Sequence, residues 1–245
     1  MAAIKTETVA YKHGSAQLEG YLAYDDAVSG KRPGILVVHE WWGLNDFTKQ
    51  KTEELAKMGY VAFAADIYGK GVRTTDAGEA GKTSAIYKND RALTRARVDA
   101  ALKILEKDPR VDKTKLAAIG FCFGGMVALE AARAGEDLKG VVTFHGDLSS
   151  PNPADAKNIK GRVLVLHGAD DPFVTRQVVD GFISEMNAAK VDWQLNMYSG
   201  AVHAFTNPNA GNDPKKGMAY NEKAAERAWA AMGMFFDDIF KTAKR

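Results

Sequence analysis

Between residues 116 and 130 the sequence Leu116-Ala-Ala-Ile-Gly120-Phe-Cys122-Phe-Gly124-Gly125-Met-Val-Ala-Leu-Glu130 passes from an apolar run, through a glycine-flanked cysteine, into helix-forming residues. It predicts a strand, a sharp turn and a helix. Gly120 and Gly124 bracket Cys122 at the spacing of a nucleophile elbow, G-x-S-x-G with a thiol for the hydroxyl, where a strained turn leaves no room for neighbouring side chains. A helix starting beside Cys122 would aim its N-terminal N–H groups and dipole at the sulfur, favouring thiolate and any developing oxyanion. The competing reading is a small buried hydrophobe between Phe121 and Phe123. Three glycines within these six residues weigh against it, because they are costly in a simple strand or helix interior.

The runs on either side place this elbow in a larger pattern. Gly34-Ile-Leu-Val-Val38, Tyr60-Val-Ala-Phe-Ala-Ala65, Gly140-Val-Val-Thr-Phe144 and Arg162-Val-Leu-Val-Leu166 are near-continuous apolar segments, as expected of parallel strands buried on both faces. Helical patterns separate them: one from Asn45 or Asp46 to Met58, one over residues 90–107, and one through Val178, Phe182, Ile183 and Met186. Glu7-Thr-Val-Ala-Tyr-Lys12 and Leu18-Glu-Gly-Tyr-Leu-Ala-Tyr24 alternate about His13-Gly14-Ser15, which predicts an antiparallel hairpin at a sheet edge. Residues 191–198 read as a last strand, 215–240 as an amphipathic helix, and 68–85 as a loop able to cover one side of a cleft. With no repeat or linker, residues 1–245 read as a single α/β domain.

Composition removes whole classes of function. A net charge of +2, with basic and acidic residues interspersed, gives no nucleic-acid or membrane-surface footprint. No apolar run approaches the roughly 20 residues of a membrane span. One cysteine excludes an internal disulfide, and Met1-Ala-Ala-Ile-Lys5-Thr-Glu7 lacks the apolar core of a secretory signal, so a cytoplasmic protein with a reduced Cys122 is expected.

Behind the later strands stand the other parts of a possible catalytic set. Asp171 follows the fifth apolar run in Gly168-Ala-Asp170-Asp171-Pro172, and His203 follows the last strand in Gly200-Ala-Val-His203-Ala-Phe205. Nucleophile, then acid, then histidine is the chain order of α/β-hydrolases. In that chemistry His203 takes the thiol proton and later activates water, while Asp171 orients the imidazole. His145 and His167, each ending a strand before a glycine, read as structural residues satisfied by backbone groups.

These segments also resemble the dienelactone hydrolase family. Gly120-Phe-Cys122-Phe-Gly124-Gly125 is similar to its G-x-C-x-G-G elbow, Asp171-Pro-Phe-Val174 and Gly200-Ala-Val-His203-Ala-Phe205 to its acid and histidine motifs, and His39-Glu40-Trp41-Trp42-Gly43 to its glutamate segment. The resemblance spans nearly the whole chain. It implies an α/β-hydrolase fold: a mostly parallel twisted sheet flanked by helices, an N-terminal antiparallel hairpin and no large cap domain. It also implies Cys122, Asp171 and His203 as a triad, with Asp170 as the alternative acid, Glu40 as the thiol's partner, and the N–H groups of Trp41 and Phe123 as the oxyanion hole. No metal or organic cofactor is implied. Where the family's type member carries a carboxylate-binding arginine, this chain has Asn207, and a neutral amide cannot form the bidentate ion pair.

The expected activity is hydrolysis of small carboxylic esters or lactones through a Cys122 acyl-enzyme, by a monomer or small homo-oligomer. Trp42, Phe205 and Asn207 are the expected substrate contacts, with Arg73, Arg91 or Arg95 as other sources of positive charge. Activated aryl esters suit an aromatic cleft, and an oxyanion hole with a soft nucleophile also suits the tetrahedral phosphorus of activated phosphotriesters. The alternatives are a non-catalytic ligand-binding or redox-responsive thiol protein on a hydrolase scaffold, and a partner-binding module.

Overall fold

Each apolar run becomes a strand whose alternate residues enter two different cores. In the computed structural model, which describes residues 3–241, the third strand, β3 (Arg32–Val38), sends Leu36 and Val38 to one face and Ile35 and Val37 to the other. Val61 and Phe63 of β4 (Val61–Ala65) likewise oppose Ala62 and Ala64. The period of two is the pleat itself, and both faces are apolar because both are covered.

The sheet has eight strands in the order β1-β2-β4-β3-β5-β6-β7-β8. β1 (Ile4–His13) and β2 (Ala16–Asp25) form the expected edge hairpin, and β2 pairs antiparallel with β4. From β4 onward all neighbours are parallel: β3, β5 (Val111–Phe121), β6 (Gly140–Phe144), β7 (Arg162–Gly168) and β8 (Trp193–Tyr198). Helices α1 (Asp46–Lys57) and α6 (Glu222–Phe240) cover one face through residues such as Phe47, Leu55, Met232 and Phe236. α2 (Ala77–Asn89), α3 (Arg91–Lys107), α4 (Phe123–Arg133) and α5 (Arg176–Ala188) cover the other. This is the α/β-hydrolase fold, with every parallel strand ending on the same edge.

Two sequence expectations are corrected. Residues 68–85 are not one loop, because α2 begins at Ala77 with Asp76 accepting a hydrogen bond from the Glu79 N–H at its start. Its inward face is Ala80, Ser84 and Tyr87, helically spaced but too small and polar to register as apolar periodicity. The final helix does not begin at residue 215. A 3₁₀ turn, Pro214–Lys216, ends at Gly217 with φ +79°, in the left-handed region, and Asn221 then caps α6 by accepting from the Ala224 N–H. Of the opening stretch read for a signal, Met1 and Ala2 lie outside the described residues, as do residues 242–245. No described helix is long and apolar enough to cross a membrane.

Candidate active site

Three of the four non-glycine residues with positive φ among the described residues cluster at the strand ends: Cys122 (φ 52°), His145 (φ 41°) and Ala204 (φ 56°). Such backbone costs energy and persists only where the surroundings hold it. At Cys122 the hold is visible. The Cys122 N–H donates to the Phe144 carbonyl at 3.0 Å, and the Gly125 N–H donates to the Cys122 carbonyl at 3.0 Å. A Cβ on Gly120 would lie 1.9 Å from the Gly124 carbonyl oxygen, and one on Gly124 would lie 2.3 Å from that of Val38. Glycine at both positions lets α4 start directly against β5 and β3. No side chain caps α4, so its first amides are left for the elbow and whatever occupies the space before it.

His203 sits in a segment stitched to the chain beyond it, its N–H donating to the Gly217 carbonyl and its carbonyl accepting from the Ala219 N–H, both at 3.1 Å. Its Nδ1 donates to Asp171 Oδ2 at 2.8 Å. The other carboxylate oxygen, Oδ1, accepts from the Phe173 and Val174 N–H groups at 2.8 and 3.0 Å. Asp171 is thereby fixed as an acceptor, and the proton on Nδ1 leaves Nε2 with a free lone pair. Asp170, the neighbouring alternative, is exposed and bonds only through its backbone.

Electrostatics couples the same groups. Burial opposes a charge on His203, but the neighbouring Cys122 and the Asp171 carboxylate outweigh it, and the imidazole pKa is pushed up to about 10. Burial would raise Asp171, yet His203 and the two backbone N–H groups hold it below the usual carboxylate range. Asp171 and His203 thus each favour the charged form of the other.

Glu40 follows β3 and is fully buried. Its Oε2 accepts from Asn207 Nδ2 at 2.6 Å, and among the described residues no arginine pairs with it. Burial raises its pKa to about 7 against the pull of Asn207 and of a charged His203. Asn207, expected to touch substrate, thus also holds Glu40 while lining the cavity.

A cavity of about 1000 Å³ opens in front of these residues, lined among others by Glu40, Trp41, Trp42, Cys122, Phe123 and His203. Trp41 and Trp42 meet edge to face at 4.9 Å and make its aromatic wall. Among the described residues the Trp41 and Phe123 N–H groups donate to no protein acceptor. The expectation for Phe205 is corrected: it is fully buried in the core behind His145, 5.3 Å from that ring, and does not line the cavity. Of the three arginines, Arg73 reaches the cavity; Arg95 is paired with Glu130 and Asp155, and Arg91 lies outside the lining. Lys88, Asp147 and Phe173 line it without having been singled out in the sequence, where nothing distinguishes them from solvated charges or a loop hydrophobe. No described cluster of His, Cys, Asp and Glu has the arrangement of a metal site.

The profile of the dienelactone hydrolase family matches residues 18–240. The chain belongs to the dienelactone hydrolase family. Within that family it is 28% identical to a Saccharolobus solfataricus protein provisionally named carboxymethylenebutenolidase, over 94% of this chain and 98% of the relative. It is 30% identical to a Bradyrhizobium protein provisionally named 2-oxo-3-(5-oxofuran-2-ylidene)propanoate lactonase, over 91% and 92% of the two chains. Among solved structures, that of a dienelactone hydrolase-like promiscuous phosphotriesterase from metagenomic libraries is 42% identical, with a TM-score of 0.93 over 98% of this chain and 100% of that one. The protein is a hydrolase of the dienelactone hydrolase type.

Proposed function

We propose that the protein hydrolyses small carboxylic esters and lactones through an acyl-enzyme on Cys122. The observation that carries this reading is the Asp171–His203 hydrogen bond of 2.8 Å, which leaves Nε2 free to take a proton, in a cavity that His203 lines together with Cys122 on its strained turn. The thiolate attacks the ester carbonyl carbon, and its oxygen takes the negative charge between the N–H groups of Trp41 and Phe123. Collapse of this tetrahedral adduct breaks the C–O bond, and His203 gives its proton to the departing alkoxide. His203 then removes a proton from water, the hydroxide attacks the thioester, and the thiolate leaves with the acid as product. Asp171 keeps the imidazole in one tautomer throughout. Glu40 serves as the partner of the resting thiol: a carboxylate there opposes early ionisation and can move when substrate enters.

Trp41 and Trp42 favour aryl or other apolar groups in the ester. The similarity to a promiscuous phosphotriesterase supports a side activity on activated phosphotriesters, whose phosphoryl oxygen would occupy the same two N–H groups. A single cysteine that must stay reduced suits the cytoplasm.

Mixing the protein with a p-nitrophenyl ester and following intact mass tests the reading. An acyl adduct on Cys122, with turnover abolished in Cys122→Ala and His203→Ala, is the expected result. Turnover without an adduct that survives Cys122→Ala would overturn it. A peroxide-sensitive thiol with no turnover would favour the redox-responsive alternative.

A further inference from the structure

We infer that His39 is a positioning residue for the oxyanion hole, holding the Glu40–Trp41 peptide so that the Trp41 N–H faces the cavity. The inference rests on the reading of Cys122 as nucleophile and of this N–H as an oxyanion donor.

His39 directly follows β3 and is fully buried, with both ring nitrogens engaged. The Ile67 N–H, which can only donate, points at His39 Nε2 at 3.3 Å. Nε2 is therefore the acceptor, and the proton sits on Nδ1. Nδ1 lies 2.6 Å from the Glu40 carbonyl oxygen and donates to it. The Gly43 N–H reaches the same oxygen at 3.3 Å. In a planar trans peptide the C=O and the next N–H point in opposite directions. With the Glu40 carbonyl fastened to an imidazole in the core, the Trp41 N–H is turned away from the core, and it finds no protein acceptor among the described residues. A carbonyl that accepts a strong bond also polarises its peptide and sharpens the N–H as a donor.

The ring has little freedom to leave this arrangement. It stacks on Phe123 with centroids 5.9 Å apart, and the Tyr68 ring meets it edge to face at 4.8 Å. Phe123 carries the second oxyanion N–H, so one imidazole touches both halves of the hole. The next two carbonyls are held as well: Trp41 accepts from the Tyr68 hydroxyl and Trp42 from the Thr74 N–H, each at 3.1 Å. His39 is the member of this set that acts on the peptide bearing the donor.

The test compares two reactions of Cys122. Acylation by p-nitrophenyl acetate builds an oxyanion, whereas alkylation by iodoacetamide displaces iodide at a saturated carbon and builds none. His39→Leu is expected to slow acylation by about tenfold to a hundredfold, less than or equal to the loss of a whole oxyanion donor, while alkylation stays within about twofold. His39→Asn, whose amide can donate near the Nδ1 position, is expected to recover most of the acylation rate. Unchanged acylation in His39→Leu, or acylation and alkylation falling together in both variants, would overturn the inference. Should His39→Leu fail to fold, Asn against His39→Gln decides, since glutamine carries its amide near Nε2: acylation faster in Asn by at least about fivefold at equal alkylation supports the role, and equal acylation removes it. Wild-type protein that alkylates but never acylates would overturn the Cys122 reading and this inference together.

Discussion

Glu40 is the residue where this site departs most from a relaxed protein interior. Asn207 offers it one neutral hydrogen bond in place of an ion pair, and burial raises the carboxyl pKa from 4.5 to about 7. Because the folded pKa is the higher one, the native state binds more protons than the unfolded chain between those values. The contribution of Glu40 is therefore most favourable below pH 4.5 and is lost as pH rises through about 7, a difference on the order of 3 kcal/mol. Urea unfolding of Glu40→Gln, whose carbonyl can still accept from Asn207, is expected to flatten the fall in stability between pH 5 and 7.5; a slope equal to wild type would show that Glu40 does not titrate there. That Cys122, Asp171 and His203 would be brought together was legible in their spacing behind successive strands, and that Glu40 would join them in the family resemblance. The Glu40–Asn207 bond was not, since the two residues are 167 positions apart and nothing local to either points to the other. His39 was visible only as the first letter of a motif, because a tautomer is fixed by neighbours that the sequence does not place.

Elements rather than single contacts set the geometry of the elbow. Gly124 lies where α4 meets the end of β3, and an added Cβ would fall 2.3 Å from the Val38 carbonyl oxygen and 2.6 Å from that of His39. Both obstacles are backbone, so the helix must move and the oxyanion segment with it. Gly124→Ala is expected to lower stability by about 1–3 kcal/mol and to reduce esterase kcat/KM by more than about tenfold, since the Trp41 and Phe123 N–H groups, the proposed oxyanion donors, lose their separation. Activity like wild type with a lowered Tm would mean that the helix start is not what positions the donors. The glycine spacing made this junction legible in advance. The segment facing it was read less well: α2 presents Ala80, Ser84 and Tyr87 to the core, and only the third is large enough to mark a buried face. Yet Tyr87 donates to the Tyr68 carbonyl and stacks on the Tyr68 ring, so a helix without an apolar signature supports the wall beside the oxyanion segment.

Across the whole molecule, a buried charge network ties the helices on the elbow's side of the sheet to one another. Arg133, at the end of α4 and fully buried, donates from Nε and Nη2 to the two oxygens of Glu185 on α5, each at 2.8 Å, and from Nη1 to Glu130 at 3.1 Å. Arg95 on α3 joins Glu130 at 2.8 Å and Asp155 of a 3₁₀ turn (Pro153–Asn158) at 2.6 Å. Alternating strands and amphipathic helices made the layers predictable, but which charges would pair inside them depends on helix rotation, and periodicity does not fix that. Removing one member is worse than removing a pair, because without Glu185 the buried Arg133 Nε loses its acceptor and the guanidinium keeps only Glu130 and main-chain carbonyls to offset its desolvation. Glu185→Leu is expected to cost about 3–5 kcal/mol in urea unfolding, and Arg133→Met combined with Glu185→Leu is expected to recover much of that loss. A double variant as unstable as the single one would show that the network contributes more than the absence of a stranded charge. Either way the catalytic end should be spared. α4 has 11 residues, so Arg133 lies about 16 Å along the helix from its start beside Cys122. Below the unfolding transition, kcat/KM per folded molecule in Glu185→Leu is therefore expected to stay near wild type, and a large drop there would mean that strain at the far end of α4 reaches the elbow.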